Sequence, residues 1–555
     1  MENPPVRTCT GQGDDPNDLI SEKIGTRHDQ YDMLRMGKTP QLNVCESQAR
    51  GKFDQWLTET YSVTLAPARV YLLWTVLIRG ADRASSFGLL NGGTAGLIYC
   101  YVATFAGFLA VIASMAEMAS MAPTAGGQYH WVSEFAPRSC QRFLSYITGW
   151  ICVLGWQTGI TSIAFLTASQ IQSLIIINNV SYAFERWHGT LLIITISFFA
   201  IIFNTYLAER LPLVEGLILI LHVCGFFAIL IPLWVLAPRS DTVAVFTQFN
   251  DGGDWGTTGL AVLVGMLSPV FAFIGADSAS HMSEEIHDAS ITLPRAMMWT
   301  IVINGSLGFV MLISFCFCMG DVSTILSDPN VMPFVQTFLI ATKSPAGATA
   351  LTTITIVLTA CGCITNVATA SRQMFAFARD SGLPFSSFLA HVRPTEFRTI
   401  HSMIIADESS QVRPGWNVPL NAVMVSFIIT ILLSLINIGS NVAFNAIASL
   451  GTAALISSYI VSITCVTIKR YRSDKLPHAR WSLGKFGGPI NIVSIAYIIV
   501  VIIFSFFPQS VAITPDSMNW NVLIYGVTLS FAVAWYFIQG KKQYAGPIAY
   551  VRAEL

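Results

Sequence analysis

Residues 143–184 read FLSYITGWICVLGWQTGITSIAFLTASQIQSLIIINNVSYAF and contain no Asp, Glu, Lys or Arg. A hydrocarbon core about 30 Å thick is crossed by roughly 20 helical residues, because each residue adds about 1.5 Å. This stretch is therefore long enough to cross a bilayer and to project from it. Further uncharged stretches of spanning length are 94–116, 187–208, 255–276, 296–320 and 344–371. The pattern is typical of an all-α polytopic membrane protein.

The composition of the chain agrees with this class. Of its 555 residues, 53% are hydrophobic and 11% are charged, whereas about 25% of the residues of soluble domains are charged. The net charge is −1, from 31 basic and 32 acidic side chains, so no basic surface suggests a nucleic-acid partner. Residues 1–60 are polar and lack the apolar core of a signal peptide, which predicts a disordered cytosolic N-tail.

Eleven crossings follow from the uncharged stretches, and the basic residues orient them. The predicted crossings are 94–118, 143–176, 188–208, 211–237, 257–279, 297–319, 345–375, 419–437, 442–468, 488–507 and 520–538. With residues 119–142 placed in the cytosol, 17 basic residues lie on the cytosolic side and 3 on the other. Lys and Arg are retained in the cytosol during membrane insertion. We therefore expect the C-tail, residues 539–555, to be cytosolic.

Residues 61–90 form an atypical first segment. Ala66–Ile78 begins like a crossing, but Arg79, Asp82 and Arg83 follow directly. Each charge at a helix centre costs about 2.5–3.5 kcal/mol, so a half-inserted segment is one reading. The other reading rests on parity, because eleven crossings and a cytosolic C-tail would place the polar N-tail outside. We therefore expect twelve crossings, with 61–90 as the first and both termini in the cytosol.

A helix break is predicted inside the crossing 257–279. Residues 271–279 read FAFIGADSA, and glycine and small residues weaken a helix at membrane depth, where backbone unwinds only if it is buried or lines a cavity. Freed carbonyls and a half-helix N-terminus recognise an ammonium and an anionic group. The predicted substrate-binding residues are Phe271, Phe273, Ile274, Gly275, Ala276, Asp277, Trp150 and Tyr459, with Trp156 as a further aromatic candidate. The alternatives are an ordinary core for the aromatic residues and a glycine kink that leaves Asp277 at the cytosolic surface.

Three ionisable residues within the crossings are candidates for proton coupling, because such residues are costly in a bilayer. They are His222 and Glu215, which are seven residues apart on one crossing, and Glu117 at the end of the crossing 94–118. His222 is the strongest candidate, since histidine titrates near neutral pH. The alternative for His222 is a hydrogen-bonded packing residue.

A cytosolic gate is predicted from opposite charges on two loops that share one side of the membrane. The residues are Glu284, Glu285 and Arg295 after the crossing 257–279, and Arg138 and Arg142 in the loop 119–142. Such charges pair when the loops meet and separate when the transporter opens, and exposed pairs contribute about 0–1 kcal/mol each. A solvated charge run without partners is the alternative.

Metal and enzyme chemistry have little support in the sequence. His281, Glu284, Glu285 and His287 are close in sequence but lack the spacing of a zinc site. The paired glycines at 92–93 and 126–127 predict turns, since no phosphate-loop pattern surrounds them. We expect no metal, no cofactor and no enzymatic activity.

Several motifs, in order along the chain, resemble those of one known group of proteins. They are NGGTAGL at 91–97, EMASMAPTAGGQYHW at 117–131, Gly149-Trp150, FIG at 273–275 followed by SEE at 283–285, and PRA at 294–296. The chain resembles the fungal GABA and choline permease branch of the amino acid–polyamine–organocation superfamily. The resemblance implies secondary transport, usually proton-coupled, of a small amine-bearing solute at the plasma membrane. GABA, choline, another amino acid and a polyamine all remain open as substrates.

The resemblance also implies a domain organisation. Residues 61–237 would form one five-helix repeat and 238–468 an inverted second one with a cytosolic loop insertion at 378–418, followed by the last two helices at 469–538. Two features depart from the family: the charged first segment and about 20 extra residues between Pro394 and Val412. Val-Arg-Pro at both 392–394 and 412–414 suggests an unspliced intron, with natural variation as the alternative. The alternative function is a transport-inactive homologue, either a nutrient receptor or the product of a faulty gene model.

Overall fold

The computed structural model describes most of the chain from residue 83 onwards. The described residues are 32, 83–208, 211–391 without 327 and 329, 393–394, 417–439, 443–544 without 473, 475, 515 and 516, and 546–547. The predicted N-tail, most of the atypical first segment, the extra residues 395–416 and nearly all of the C-tail lie outside this part. The side chains of Glu215 and Glu285 are also outside it.

The described chain is almost entirely helical. The α-helices are α1 (Arg83–Leu90), α2 (Gly93–Met121), α3 (Gln128–Phe135), α4 (Gln141–Asn178), α5 (Arg186–Tyr206), α6 (Leu211–Leu236), α7 (Thr242–Thr247), α8 (Thr258–Gly265), α9 (Leu267–Phe273), α10 (Ala289–Cys318), α11 (Val322–Ile325), α12 (Pro333–Thr342), α13 (Pro345–Arg379), α14 (Ser386–Leu389), α15 (Leu420–Ser434), α16 (Ile436–Gly439), α17 (Ala443–Tyr471), α18 (Gly487–Ser505), α19 (Asn521–Trp535) and α20 (Lys541–Gln543). Two 3₁₀ helices, Ala276–Glu285 and Gly484–Phe486, and a π-helix, Tyr536–Gly540, complete the helical elements described.

Within this part of the chain, eleven helices are long and apolar enough to cross a membrane. They coincide with the eleven predicted crossings, so the all-α polytopic fold is confirmed. Several extend past the predicted bounds, most clearly α10, which begins at Ala289 and not at 297, because polar turns beyond the bilayer continue the same helix. The twelfth crossing is represented by α1 alone, and the remainder of 61–90 lies outside the described residues.

One short pair of strands closes the base of the inserted loop. β1 (Arg393–Pro394) pairs antiparallel with β2 (Asn417–Val418), so that Pro394 is opposite Asn417. The chain before the extra residues therefore returns next to the chain after them.

Burial distinguishes central helices from peripheral ones. Of the 18 most apolar consecutive residues of α17, 89% are buried. The corresponding share is 17% in the segment that begins with α19. The central helices approach closely at small residues: a Cβ on Gly155 of α4 would lie 2.6 Å from Leu455 Cγ of α17, and one on Gly451 would lie 2.8 Å from Thr158 Oγ1. Close packing at small residues is a common way for helices to associate in lipid.

The predicted helix break is present. α9 ends at Phe273, Ile274 is extended with φ −71° and ψ 145°, and Gly275 has φ 103° and ψ 5°. A 3₁₀ helix then runs over Ala276–Glu285. A positive φ of this kind favours glycine, because it has no Cβ to clash. The interruption predicted for 273–277 is confirmed.

Candidate functional site

Asp277 lies at the start of the 3₁₀ helix and is completely buried. Its carboxylate accepts hydrogen bonds from Gln128 Nε2 of α3 at 2.6 Å and from the Tyr459 hydroxyl of α17 at 2.5 Å. The break therefore brings together three elements that are far apart in sequence. A position at the cytosolic surface, the alternative weighed for Asp277, is wrong because no part of the residue is exposed.

The depth of the cluster follows from α17. Asn445 lies near the start of this helix, Arg470 near its end, and Tyr459 between them. At 1.5 Å per residue, Tyr459 is roughly 21 Å from Asn445 and 16 Å from Arg470 along the axis. The Asp277 cluster is thus near the middle of a helix of membrane-spanning length.

His281 lies four residues after Asp277 on the same 3₁₀ helix and is also fully buried. Its Nδ1 lies 2.9 Å from the Ala125 carbonyl, and its Nε2 lies 3.1 Å from the indole nitrogen of Trp156 on α4. A carbonyl only accepts and an indole N–H only donates. We therefore assign the neutral Nδ1–H tautomer, whose Nε2 lone pair accepts the Trp156 proton. The same Nε2 is 3.7 Å from Asp277 Oδ2.

Gly127 lets the loop before α3 reach this histidine. Its φ is 56°, and a Cβ at this position would lie 2.7 Å from His281 Cε1 and 3.1 Å from Ser280 Oγ. Both the backbone conformation and the close approach exclude a larger residue. The paired glycines were predicted as a turn, and they form one, but the sequence held no signal that the turn packs against His281.

The aromatic candidates separate into two groups. Tyr459 reaches Asp277, as described, and Phe271 packs against Phe444. Trp150 does not join the cluster, because its ring lies edge-on to Phe531 of α19 at 5.5 Å. The prediction for Trp150 as a site residue is therefore not supported, and Trp156, six residues later, occupies the place beside His281.

Phe273 forms an anchor for the break. Its ring is completely buried and lies 5.0–5.8 Å from those of Tyr101, Phe105 and Phe108 on α2. These contacts fix α9 against α2 directly before the chain unwinds. Ile274, Gly275 and Ala276, the other predicted residues of the break, are buried in the same region.

A small cleft with a volume of about 30 Å³ lies at one end of the bundle. It is lined by Phe271 of α9, by Phe87 of α1, by the start of α17 around Asn445, and by the loop that contains Gln509. We call this end the cleft end. By the charge rule it is the predicted external side, since the basic residues at the termini of α13 and α17 lie at the other end.

The opposite end, which we call the basic end, holds Arg379, Arg470 and Arg480 and is joined by ion pairs. Glu284 of the 3₁₀ helix forms a two-point ion pair with Arg379 of α13, at 2.8 and 3.2 Å. Next to it, the Tyr129 hydroxyl donates to Asp380 Oδ2 at 2.9 Å. These contacts hold three helices together at the predicted cytosolic side.

The gate prediction needs a correction in its partners. Glu284 pairs with Arg379 and not with Arg138, which is exposed in the loop before α4, and Arg295 is exposed as well. The prediction considered only loops, whereas the partner lies on the last turn of a long helix. The side chain of Glu285 lies outside the described residues.

The proton-coupling candidate Glu117 has a different environment from the one expected. Its carboxylate accepts from Arg470 at 2.5 Å, from the Ser482 hydroxyl at 2.9 Å and from the Leu483 amide at 3.1 Å. The ion pair and the two further donors engage both oxygens of the carboxylate. Glu117 therefore joins the ends of α2 and α17 to the loop between α17 and α18, and its role in proton coupling stays a prediction.

His222 and Glu215 are both on α6. His222 is completely buried, and α6 packs against α10, α12 and α13. The partners of Asp277 come instead from α3 and α17. Proton coupling through His222 stays a prediction, and so does the role of Glu215.

The chain after α19 returns to the basic end. Tyr544 is completely buried, and its hydroxyl lies 2.6 Å from Ser145 Oγ. Its carbonyl accepts from Arg142 Nε, and its ring packs edge-on to those of Tyr146 and Phe377. Sequence reasoning placed this residue in a cytosolic tail, since one aromatic residue in a polar segment carries no signal of docking.

Comparison with known proteins identifies the family. The amino acid permease family model matches residues 77–529. The chain belongs to the amino acid permease family. It is therefore a multi-pass integral membrane transporter for amino acids or related amines, not an enzyme, as the motifs predicted.

Fungal relatives agree with this assignment. A Macrophomina phaseolina protein named as a putative amino acid/polyamine transporter is 31% identical over 438 residues, which cover 78% of this chain and 92% of the relative. The choline transporter of Saccharomyces cerevisiae is 27% identical and covers 85% of this chain and 82% of its own. Among solved structures, a mutant of the Eremococcus coleocola manganese transporter matches with a TM-score of 0.50 and 14% identity, over 93% of this chain and 99% of its own. This last likeness concerns the fold alone.

Proposed function

We propose that the protein is a proton-coupled secondary transporter that takes up a small amine-bearing solute, such as GABA, another amino acid or choline, by alternating access. The observation that carries the proposal is the break at Ile274–Gly275, halfway along a spanning helix and beside a buried carboxylate. A break at this depth costs backbone hydrogen bonds, so it persists only where those groups have another use.

The break supplies both halves of a binding site for a zwitterion. Carbonyls at the end of α9 have no following helical turn and are available to an ammonium group. The N-terminus of the 3₁₀ helix at Ala276 presents amide groups to a carboxylate. Phe271, which lines the cleft, and Tyr459, which binds Asp277, flank the break. A quaternary ammonium would use the aromatic faces instead, with about 2 kcal/mol from a desolvated cation–π contact.

Alternating access accounts for the asymmetry of the two ends. The cleft reaches Phe271 from the cleft end, while Glu284–Arg379 and Tyr129–Asp380 join the helices at the basic end. We assign this arrangement to the state open to the outside of the plasma membrane. Substrate release then requires the basic-end contacts to separate, as the two inverted repeats 61–237 and 238–468 move relative to each other.

Uptake measurement tests the proposal. The protein, purified and placed in liposomes with an inward proton gradient, should accumulate at least one of labelled GABA, choline or a common amino acid. Gly275→Leu should abolish uptake, since the new side chain meets a positive φ and fills the space where backbone contacts substrate. Gly526→Leu is the matched control, because nothing lies within 4 Å of a Cβ at Gly526 on α19.

Two outcomes would contradict the proposal. If uptake by Gly275→Leu equalled that by Gly526→Leu, the break would not be part of the substrate site. Absence of uptake of every candidate by the intact chain would favour the transport-inactive alternative, whose main support, the charges at 79–83, lies mostly outside the described residues.

A further inference from the structure

We infer that Asp277 and His281 together hold the coupled proton, and that His281 Nε2 is the atom that receives it. The inference rests on the proposed function and names the residues behind its proton coupling. It differs from the sequence-based candidates, none of which contacts Asp277 in the hydrogen bonds described.

The hydrogen bonds of His281 leave one place for a proton. Nδ1 already donates to the Ala125 carbonyl at 2.9 Å, while Nε2 accepts from Trp156. A proton added to the Nε2 lone pair turns this acceptor into a donor, so the Trp156 bond breaks. The new N–H then has a carboxylate 3.7 Å away, Asp277 Oδ2. A movement of roughly 1 Å, shared between the ring and the carboxylate, suffices to bring the pair into an ordinary charge-assisted hydrogen bond.

Asp277 favours this proton because its described donors are neutral. The Gln128 amide and the Tyr459 hydroxyl supply hydrogen bonds but no positive charge. A buried carboxylate without a nearby cation is costly, and a proton on the neighbouring imidazole provides that cation. The pair therefore has a net charge of −1 without the proton and zero with it.

Among the side chains that the structure describes, the other ionisable groups around the pair are engaged elsewhere or lack charge. Cys152 on α4 faces the Gln128 amide oxygen at 3.8 Å, and Tyr459 binds Asp277. Of the remaining groups on the elements packed around the 3₁₀ helix, Glu284 binds Arg379 of α13, Tyr129 of α3 binds Asp380, and Glu117 of α2 binds Arg470. His130 of α3 is buried and has a partner of its own.

The charge of the pair sets the sign of coupling to substrate. A carboxylate-bearing solute at the N-terminus of the 3₁₀ helix lies close to Asp277, and a net charge of −1 repels it. Protonation removes that repulsion, so proton and zwitterion bind cooperatively, which is the requirement for symport. For a solute with only a cationic group, the coupling would have the opposite sign, because the proton and the solute compete for the negatively charged site.

The experiment compares accumulation with exchange in liposomes of purified protein. In His281→Asn, the amide nitrogen can still donate to Ala125, but the Nε2 acceptor is gone. An inward proton gradient should no longer drive accumulation in this variant, so the internal concentration only reaches the external one. Exchange of labelled for unlabelled substrate requires no net proton movement and should persist, but at a higher substrate concentration, because the site keeps its net charge of −1. His222→Ala is the control and should accumulate substrate as the wild type does.

A second variant separates proton binding from mere packing. Trp156→Phe keeps an aromatic ring but removes the N–H that stabilises neutral His281. One hydrogen bond of about 1 kcal/mol corresponds to about 0.7 pH unit, so the pH profile of uptake should move to higher pH by about half a unit to one unit. A packing defect would lower the rate without this direction of shift.

The outcomes distinguish the inference from the proposed function. Gradient-driven accumulation by His281→Asn, or an unshifted profile in Trp156→Phe, would overturn the inference while leaving the transport function intact. If only His222→Ala lost its response to the proton gradient, the coupled proton would bind on α6. This result would also overturn the inference. Absence of any uptake by the wild-type protein would overturn both.

Discussion

The ion pair between Glu284 and Arg379 should control how often the basic end opens. The Glu284 side chain is completely buried, and that of Arg379 is 14% exposed. Removing one member of a buried pair costs about 3–5 kcal/mol, because the remaining charge loses the opposite charge that offset its burial. Opening of this end would return Glu284 to water, so the cost applies to the closed state. At 1.4 kcal/mol per tenfold, a loss of about 3 kcal/mol raises the open population about 100-fold.

Thiol labelling measures this population. Cys152 is completely buried on α4, beside Gln128 in the Asp277 cluster. In a variant with Cys152 as its sole cysteine, a polar thiol reagent applied from the basic end reacts only when that end opens. Arg379→Met should raise the labelling rate about 100-fold. The double exchange Glu284→Arg with Arg379→Glu should return it most of the way to the parent value.

A second pair at the same end supplies the control. Arg480 binds Asp288, but their side chains are 28% and 33% exposed, and exposed pairs contribute about 0–1 kcal/mol. Arg480→Met should therefore change labelling by no more than about fivefold. Equal labelling rates in Arg379→Met and Arg480→Met would refute the assignment of Glu284–Arg379 as the closing contact.

Three further predictions concern packing, the inserted loop and the site. Gly155→Val should lower the thermal stability of the purified protein, since its Cβ would overlap Leu455 and overpacking costs about 1–3 kcal/mol; a melting temperature equal to that of Gly526→Val would show that α4 and α17 can separate freely. Replacement of residues 395–416 by Asn-Gly, a two-residue hairpin turn, should leave surface expression and melting temperature unchanged, because Pro394 already lies opposite Asn417; aggregation of this variant would contradict the prediction. Tyr459→Phe removes a donor to buried Asp277, at a cost of about 1–3 kcal/mol, and should reduce kcat/KM for uptake at least fivefold, whereas an unchanged value would exclude the hydroxyl from the transport cycle.

Hydropathy predicted the crossings because the bilayer imposes a length and a composition on each helix. It also located the break, since Gly275 and its small neighbours are a local signal. Hydropathy could not determine whether Trp150 or Trp156 belongs to the site. Both are on α4, and six residues turn a helix by about 600°, which places them on well-separated faces. Without knowledge of which face meets α19 and which meets the 3₁₀ helix, the sequence ranks them equally.

Long-range contacts explain the other differences. His281 forms its hydrogen bonds with residues more than 120 positions earlier, and Arg379 reaches Glu284 across 95 positions. Glu117 illustrates the same limit, because a carboxylate at a helix end looks alike whether it faces a proton path or an arginine 353 residues later. Local pattern identifies ionisable residues at membrane depth, but only the assembled bundle assigns their partners.

The docking of Tyr544 makes the last crossing a mechanical part of the transporter. α19 is mostly exposed on its apolar faces, as expected for contact with lipid, and it continues through the π-helix Tyr536–Gly540 to the buried ring. A helix in this position adjusts its tilt to the thickness of the surrounding bilayer. Such a tilt is transmitted to the side chain packed between the start of α4 and the end of α13, so the rate of the transport cycle should depend on lipid chain length.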